Sequence, residues 1–190
     1  MNEVDHLVSQ LRHADYHVRA AAIEALGKSA EARAVPALLG VIGDRAEGDG
    51  EHAVNLRAGI ALAAFGERAL APSIAALRPD PGHRDDGWRR YWLARALALH
   101  RDPRVLPPLI GLLDDENPSA VEGAVDALTA LRRSIGLGAL QSAAVAAVRR
   151  AQERFGAEDS YLTRLLRDTV KDWSTAGRRQ GRSRPTRNRV

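Results

Sequence analysis

A spacing restricts this chain more than any single residue does. Three segments align in register: "ARAVPALLGVIGD" (32–44), "ERALAPSIAALRPD" (67–80) and "PRVLPPLIGLLDD" (103–115). Each places a proline near the start of a short amphipathic run, at Pro36, Pro72 and Pro107, in steps of 36 and 35 residues. Proline fits a first helical turn, where its missing N–H has no carbonyl partner to lose. Self-similarity at such a period marks a solenoid, whose units are each too small to bury their own apolar face and lean on their neighbours.

Between the proline segments lie longer ones: "YHVRAAAIEALGK" (16–28), "AVNLRAGIALAAFGE" (53–67), "WRRYWLARALALH" (88–100) and "SAVEGAVDALTALRR" (119–133). Apolar or alanine positions recur at i, i+3, i+4 and i+7, as in Val18, Ala21, Ala22, Ala25 and in Val121, Ala124, Val125, Leu128, which makes one helical stripe. No run alternates with the period of a strand. The pattern predicts helices near 3–13, 16–28, 33–43, 53–66, 69–78, 88–100, 103–114, 119–133, 137–155 and 159–173, as five antiparallel pairs. Gly27, Gly43, Gly66, "RPDPG" (78–82) and "DDENP" (114–118) supply the stops. Two loops exceed what the repeat requires, 44–52 and 79–87, and both are expected on one edge of the stack.

These segments resemble the HEAT-repeat family, specifically the HEAT-like repeats of the phycobilisome-lyase type. The residues that carry the resemblance are "VRAAAIEALGKSAEARAVPALLGVIGD" (18–44) and, more loosely, 56–78 and 97–131. About four repeats are covered, and the fifth pair diverges as a capping unit does. The resemblance implies an all-α, right-handed α–α superhelix of about five helix pairs whose second helices line a concave surface. It also implies an Asp/Arg ladder between repeats at Asp15 and Arg19, continued by Arg57, with Glu122 at the equivalent place in the fourth repeat. The family's roles include scaffolds, chaperone-like lyases acting on a tetrapyrrole or a protein client, and a few enzymes, so fold alone does not assign function.

Composition narrows the setting. No apolar stretch reaches the roughly 20 residues of a membrane span. The start, "MNEVDHLVSQLRHADYH", is acidic and polar where a secretory signal is basic and then apolar, so a cytoplasmic location is expected. The absence of cysteine excludes disulfides, thiolate catalysis and cysteine metal sites. Only Lys28 and Lys171 are lysines, a bias of GC-rich bacterial coding. The net charge of +4 belongs to the last stretch, 174–190, which holds Arg178, Arg179, Arg182, Arg184, Arg187 and Arg189 and no acid. Without it the chain carries 22 basic and 24 acidic residues. The folded domain is therefore placed at 1–173, and 174–190 is expected to be a disordered tail offering weak, salt-sensitive contact to nucleic acid or an acidic partner.

Residues 88–92 hold two of the three tryptophans and one of the three tyrosines. On a helical wheel Trp88, Trp92, Ala96 and Leu99 share a side with Leu93 and Leu97, which reads as core. Arg90, Tyr91, Ala94, Arg95 and Ala98 fall opposite, toward solvent, and Tyr and Arg are enriched at binding hot spots. The equivalent sides are His17, Ala20 and Glu24 on 16–28, and Ala120, Gly123, Ala127 and Ala130 on 119–133. Together these predict a concave groove with a smooth small-residue floor, in which Trp88, Arg90, Tyr91, Ala94, Arg95, His17, Glu24, Gly123 and Ala127 meet a protein or peptide partner.

The six histidines (6, 13, 17, 52, 83, 100) form no HExxH or i, i+4 pair on one helix, so they read as surface or capping residues and no metal or cofactor is expected. No serine lies in a G-x-S-x-G motif. Trp88, Trp92, Asp85 and Asp86 bear a superficial likeness to the HEAT-like alkylpurine DNA glycosylases, but a slightly acidic body ill suits a phosphate backbone. The expectation is a non-catalytic interaction module; the alternatives are that nucleic-acid-binding class and the lyase or chaperone class.

Overall fold

Several helices open on polar residues that satisfy the free N–H groups of a first helical turn. The computed structural model describes residues 2–44, 51–157 and 160–180, and in these it has ten α-helices and no strand. Asn2 opens α1 (Glu3–Gln10) with a reciprocal box, Asp5 N–H donating to Asn2 Oδ1 at 3.1 Å and Asn2 N–H to Asp5 Oδ2 at 3.2 Å. Asp15 opens α2 (Tyr16–Ser29), Asp85 opens α6 (Asp86–Leu99) and Asn117 opens α8 (Pro118–Ser134), each accepting a backbone N–H from that first turn. Between them lie α3 (Ala34–Val41), α4 (Glu51–Ala64), α5 (Glu67–Ala75) and α7 (Leu106–Leu112). The closing pair is α9 (Gln141–Phe155) and α10 (Tyr161–Gln180).

The even helices end alike. Ala30, Gly66, Arg101 and Gly136 follow α2, α4, α6 and α8 with φ of 54°, 55°, 52° and 73°. This left-handed residue recurs at the proline period and turns the chain sharply into the next odd helix. A Cβ at Gly66 or Gly136 would meet nothing within 4 Å, so those glycines answer to the backbone angle alone. Ala30 and Arg101 hold the same angle despite their Cβ. Pro72 departs from the expected first-turn placement and lies inside α5, which ends three residues later.

The odd helices α1, α3, α5 and α7 are short (8, 8, 9 and 7 residues), and the even helices α2, α4, α6 and α8 are long (14, 14, 14 and 17). These even helices contact one another in succession far more extensively than the odd ones do. A row drawn together on one side bends toward it, so the even helices line the concave face. One apolar core runs through the whole row, from Val4 to Trp173. The all-α solenoid of five pairs is thus as the repeat predicts.

The last helix runs further than the sequence pattern puts it. Helical backbone continues through Gln180, past the boundary placed at 173, so Arg178 and Arg179 belong to α10. Trp173 anchors it at 1% exposure, with the Arg132 guanidinium 5.8 Å from its ring and Gln141 Nε2 donating to its carbonyl at 3.3 Å. Arg182, Arg184, Arg187 and Arg189 lie outside the described residues.

Close approach of the even helices depends on missing side chains. A Cβ on Gly27 would lie 2.9 Å from Ala61 Cβ, one on Gly59 3.1 Å from Ala96 Cβ, and one on Gly123 2.6 Å from Tyr91 Cα and 2.7 Å from its carbonyl oxygen. Gly111, exposed on α7, would meet nothing within 4 Å. Gly111→Ala is therefore expected to raise stability by about 0.5–1 kcal/mol through helix propensity, and Gly123→Ala to lower it by about 1–3 kcal/mol through overpacking. Urea midpoints of the two variants check this; a shift of the same sign in both would dismiss the seam.

Candidate protein-binding groove

Within each of the first three repeats, a polar side chain early on the even helix ties down the loop after the odd one. Arg19 donates to the His13 and Ala14 carbonyls at 2.6 and 2.8 Å. Asn55 accepts the Gly43 N–H at 2.6 Å and donates to the Asp44 carbonyl at 3.4 Å. Arg89 donates to the Ala76 and Arg78 carbonyls at 2.7 and 3.0 Å. Arg19 is thus an intra-repeat clasp and Asp15 a helix cap, where the family resemblance implies a ladder between repeats. Ion pairs between repeats use other residues: Arg57 with Glu24 at 3.5 Å and Arg95 with Asp126 at 2.7 Å. His13 and His83 are capping acceptors, each taking a backbone N–H two residues on, from Asp15 and Asp85.

Arg90 is not a surface cation. Its side chain is 6% exposed, Nε lies 2.7 Å from Asp86 Oδ2, and Nη1 donates to Asp115 in the loop before α8. Asp86 also holds Arg89 at 2.6 Å, so a buried chain Arg89–Asp86–Arg90–Asp115 joins the third repeat to the fourth. Ala94 and Ala120 are wholly buried, Ala127 is 1% exposed, and Gly123 and Ala20 are buried. The small-residue floor is therefore a seam between helices, not an open surface. The wheel failed here because α6 is covered on both flanks, by α4 and α8, as well as underneath.

The aromatic cluster belongs to the same seam. Trp88 and Tyr91 stack with centroids 5.1 Å apart and planes 2° from parallel, and Trp92 meets both edge-on at 5.7 and 5.3 Å. His52 of α4 sets its edge against both tryptophans at 5.6 and 5.5 Å. Arg95 lies over Tyr91 and Trp92 and donates to Tyr91 Oη at 2.9 Å and to Asp126 at 2.7 Å. Burial raises the Tyr91 hydroxyl above its ordinary pKa. It also raises Glu122 and Asp126, which face Arg95 one turn apart on α8, and their mutual repulsion adds to the shift at Glu122. Trp88, Tyr91 and Arg95 are half-buried, while His17 and Glu24 are exposed on α2, Glu24 bound to Lys28 at 2.7 Å.

Beside this cluster the concave face opens into a groove of about 490 Å³ lined by Leu56 and Gly59 of α4, Arg95 and Leu99 of α6, and Ala130 and Arg133 of α8. Leu56 is 47% exposed and Leu99 42%, and Ile60, one turn along α4 from Leu56, is 54% exposed. Arg101, at the turn after α6, closes one end together with Arg133. Leu99 corrects the wheel, which placed it in the core. Leu56, Ile60, Arg101 and Arg133 were not singled out from sequence. The available signal was a second apolar pair on α4, at i and i+4, off the stripe of Val54, Ala58, Ala61 and Leu62 that faces the core.

With tandem helix pairs stacked in a curved row, the chain is an α-solenoid repeat protein. The family model for HEAT repeats matches residues 4–85 and that for the PBS lyase HEAT-like repeat matches 89–115, so the chain belongs to the HEAT-repeat family. No curated protein matches it. Among the described residues no helix is long and apolar enough to cross a membrane.

Two outcomes test the polar architecture. Arg90→Met leaves Asp115 without its cation in a buried place and is expected to lower stability by about 3–5 kcal/mol; a loss under about 1 kcal/mol would show the pair to be ornamental. The raised Glu122 and Asp126 make the folded chain bind protons more readily than the unfolded one, so their penalty is present while both are ionised and is relieved as pH falls through the raised values. Glu122→Gln is expected to raise the melting temperature near neutral pH, with the gain over wild type shrinking as pH falls through the raised value.

Proposed function

We propose that the chain is a non-catalytic interaction module of a bacterial cytoplasm that takes a segment of a protein partner on its concave face, in the groove lined by Leu56 and Leu99 and on the exposed Ile60 one turn along α4 from Leu56. The observation that carries this reading is the exposure of these three large aliphatic side chains on a face otherwise sealed by alanine, glycine and fixed aromatics. Contiguous exposed apolar surface in a concave setting marks a contact site. HEAT arrays serve generally as protein-interaction scaffolds, and a solenoid devotes its chain to extended surface. Arg95 and Ala127 line the groove, Tyr91 packs against Arg95 and Trp88 against Tyr91, and His17 and Glu24 extend the face along α2, while Arg90, Ala94 and Gly123 are buried in the seam.

Ile60→Asp tests the reading, because so exposed a position tolerates exchange within about 0.5 kcal/mol. A partner recovered from the native host by the full chain, identified and re-formed as a complex from two purified components, is expected to be lost by Ile60→Asp with the melting temperature unchanged. Equal binding by that variant would move the interface off the groove.

A further inference from the structure

Resting on that reading, we propose that the occupant is an amphipathic helix carrying acidic residues along one flank, its apolar side on Leu56, Ile60 and Leu99 and its carboxylates on Arg101 and Arg133.

The chemistry follows from what is left unpaired. Arg95 is engaged with Asp126 and Tyr91, and Arg57 with Glu24. Arg101 and Arg133 are exposed, line the same groove, and make no ion pair or side-chain hydrogen bond with a described residue. Two uncommitted guanidiniums beside an apolar strip call for carboxylates beside aliphatic side chains, and guanidinium suits carboxylate through two parallel hydrogen bonds. Asp126 lines the same groove from the same helix as Arg133, with Glu122 one turn before it on α8. A continuous polyanion laid along the face would run against them; a helix with one acidic flank would not. A second copy of the chain fits poorly, since two concave faces set against each other leave a gap.

The occupant's form follows from the groove's extent. It spans α4, α6 and α8. Helices pack about 8–10 Å apart, so a ligand crossing three of them covers about 25 Å, or about 17 residues of helix. Leu56 and Ile60, one turn apart on α4, offer the i, i+4 strip into which an apolar helix face packs.

Arg101 allows the charge to be tested apart from folding. It adopts a left-handed backbone at the place where two other repeats carry glycine. Arg101→Gly removes the cation and relieves the backbone together, so it is expected to raise the melting temperature while weakening binding about fivefold. A residue that merely supported the fold would not separate the two readouts.

The probes are fluorescein-labelled helical peptides of about 18 residues with one leucine stripe, flanked by glutamate in one and by lysine in the other. Fluorescence anisotropy with the full chain is expected to show the glutamate peptide bound and the lysine peptide at least about tenfold weaker. Arg101→Glu with Arg133→Glu is expected to reverse that order, and added salt to weaken the glutamate peptide. Equal affinity for both peptides, no binding of either, or an unchanged preference after charge reversal would each overturn the proposal. The native partner separates the two readings: loss with Ile60→Asp but retention by the charge-reversed chain would leave the groove standing and the acidic flank refuted, whereas retention by Ile60→Asp would remove the groove itself.

Discussion

The architecture rests on how near the even helices come to one another. At Gly27 against Ala61, Gly59 against Ala96 and Gly123 against Tyr91, two backbones meet where any larger side chain would hold them apart. The odd helices have no comparable seam. Closeness on one side only is what bends a stack, so curvature, the concave face and the burial of both flanks of α6 share this one cause. Dispersion contacts across such seams are individually small and collectively large. They also explain why alanine is so frequent in the even helices without any appeal to a smooth binding floor.

Charge has a different part. The inter-repeat pairs of the odd helices, Arg33 with Asp5 at 3.2 Å, Arg104 with Glu67 at 2.8 Å and Arg150 with Asp114 at 2.8 Å, are largely exposed and contribute little stability. Their value is in register, since a repeat that slipped along its neighbour would lose them all. The Arg89–Asp86–Arg90–Asp115 chain is of another kind. Being buried, it does little for net stability relative to an apolar replacement, but once present it cannot lose a member cheaply. It sits where the long 79–87 loop interrupts the regular repeat, the point at which apolar packing alone specifies least.

Most of the fold was legible because period, proline placement and helical spacing are local properties of sequence. All ten helices fall where that pattern puts them, with ends off by a few residues except that α10 runs on to Gln180, chiefly because caps such as Asp85 and Asn117 and the left-handed residues after the even helices set the ends. The site was much less legible. A helical wheel has one inside and one outside, whereas α6 has three covered sides, so Arg90 and Ala94 vanish into the seam while Leu99 emerges from the supposed core. The aromatic cluster divides: Trp92 is buried as its wheel position implies, whereas Tyr91 and Arg95, which the wheel turns toward solvent, are half-buried, with Arg95 tied to Asp126 of the next repeat. Which arginine is uncommitted is a tertiary fact, and nothing local distinguishes Arg133 from Arg132, which is spent on Asp172 and the Trp173 ring.

The groove's position follows from the seams themselves. Successive even helices are joined by an ion pair at α2–α4 and α6–α8, through Arg57–Glu24 and Arg95–Asp126, but no ion pair joins α4 to α6 among the described residues. There the contact is Gly59 on Ala96 with Leu99 alongside, and the side chains one turn out on either helix are Leu56, Ile60 and Leu99. A rung of opposite charges would have covered that surface and left it content with water. Aliphatic residues in its stead leave surface that gains by being covered, about 25 cal/mol for each Å² of apolar area removed from water. The nearest cations, Arg101 and Arg133, make no ion pair with a described residue. An apolar strip and a pair of idle guanidiniums thus arise together, at the one junction of this region where the ladder is interrupted.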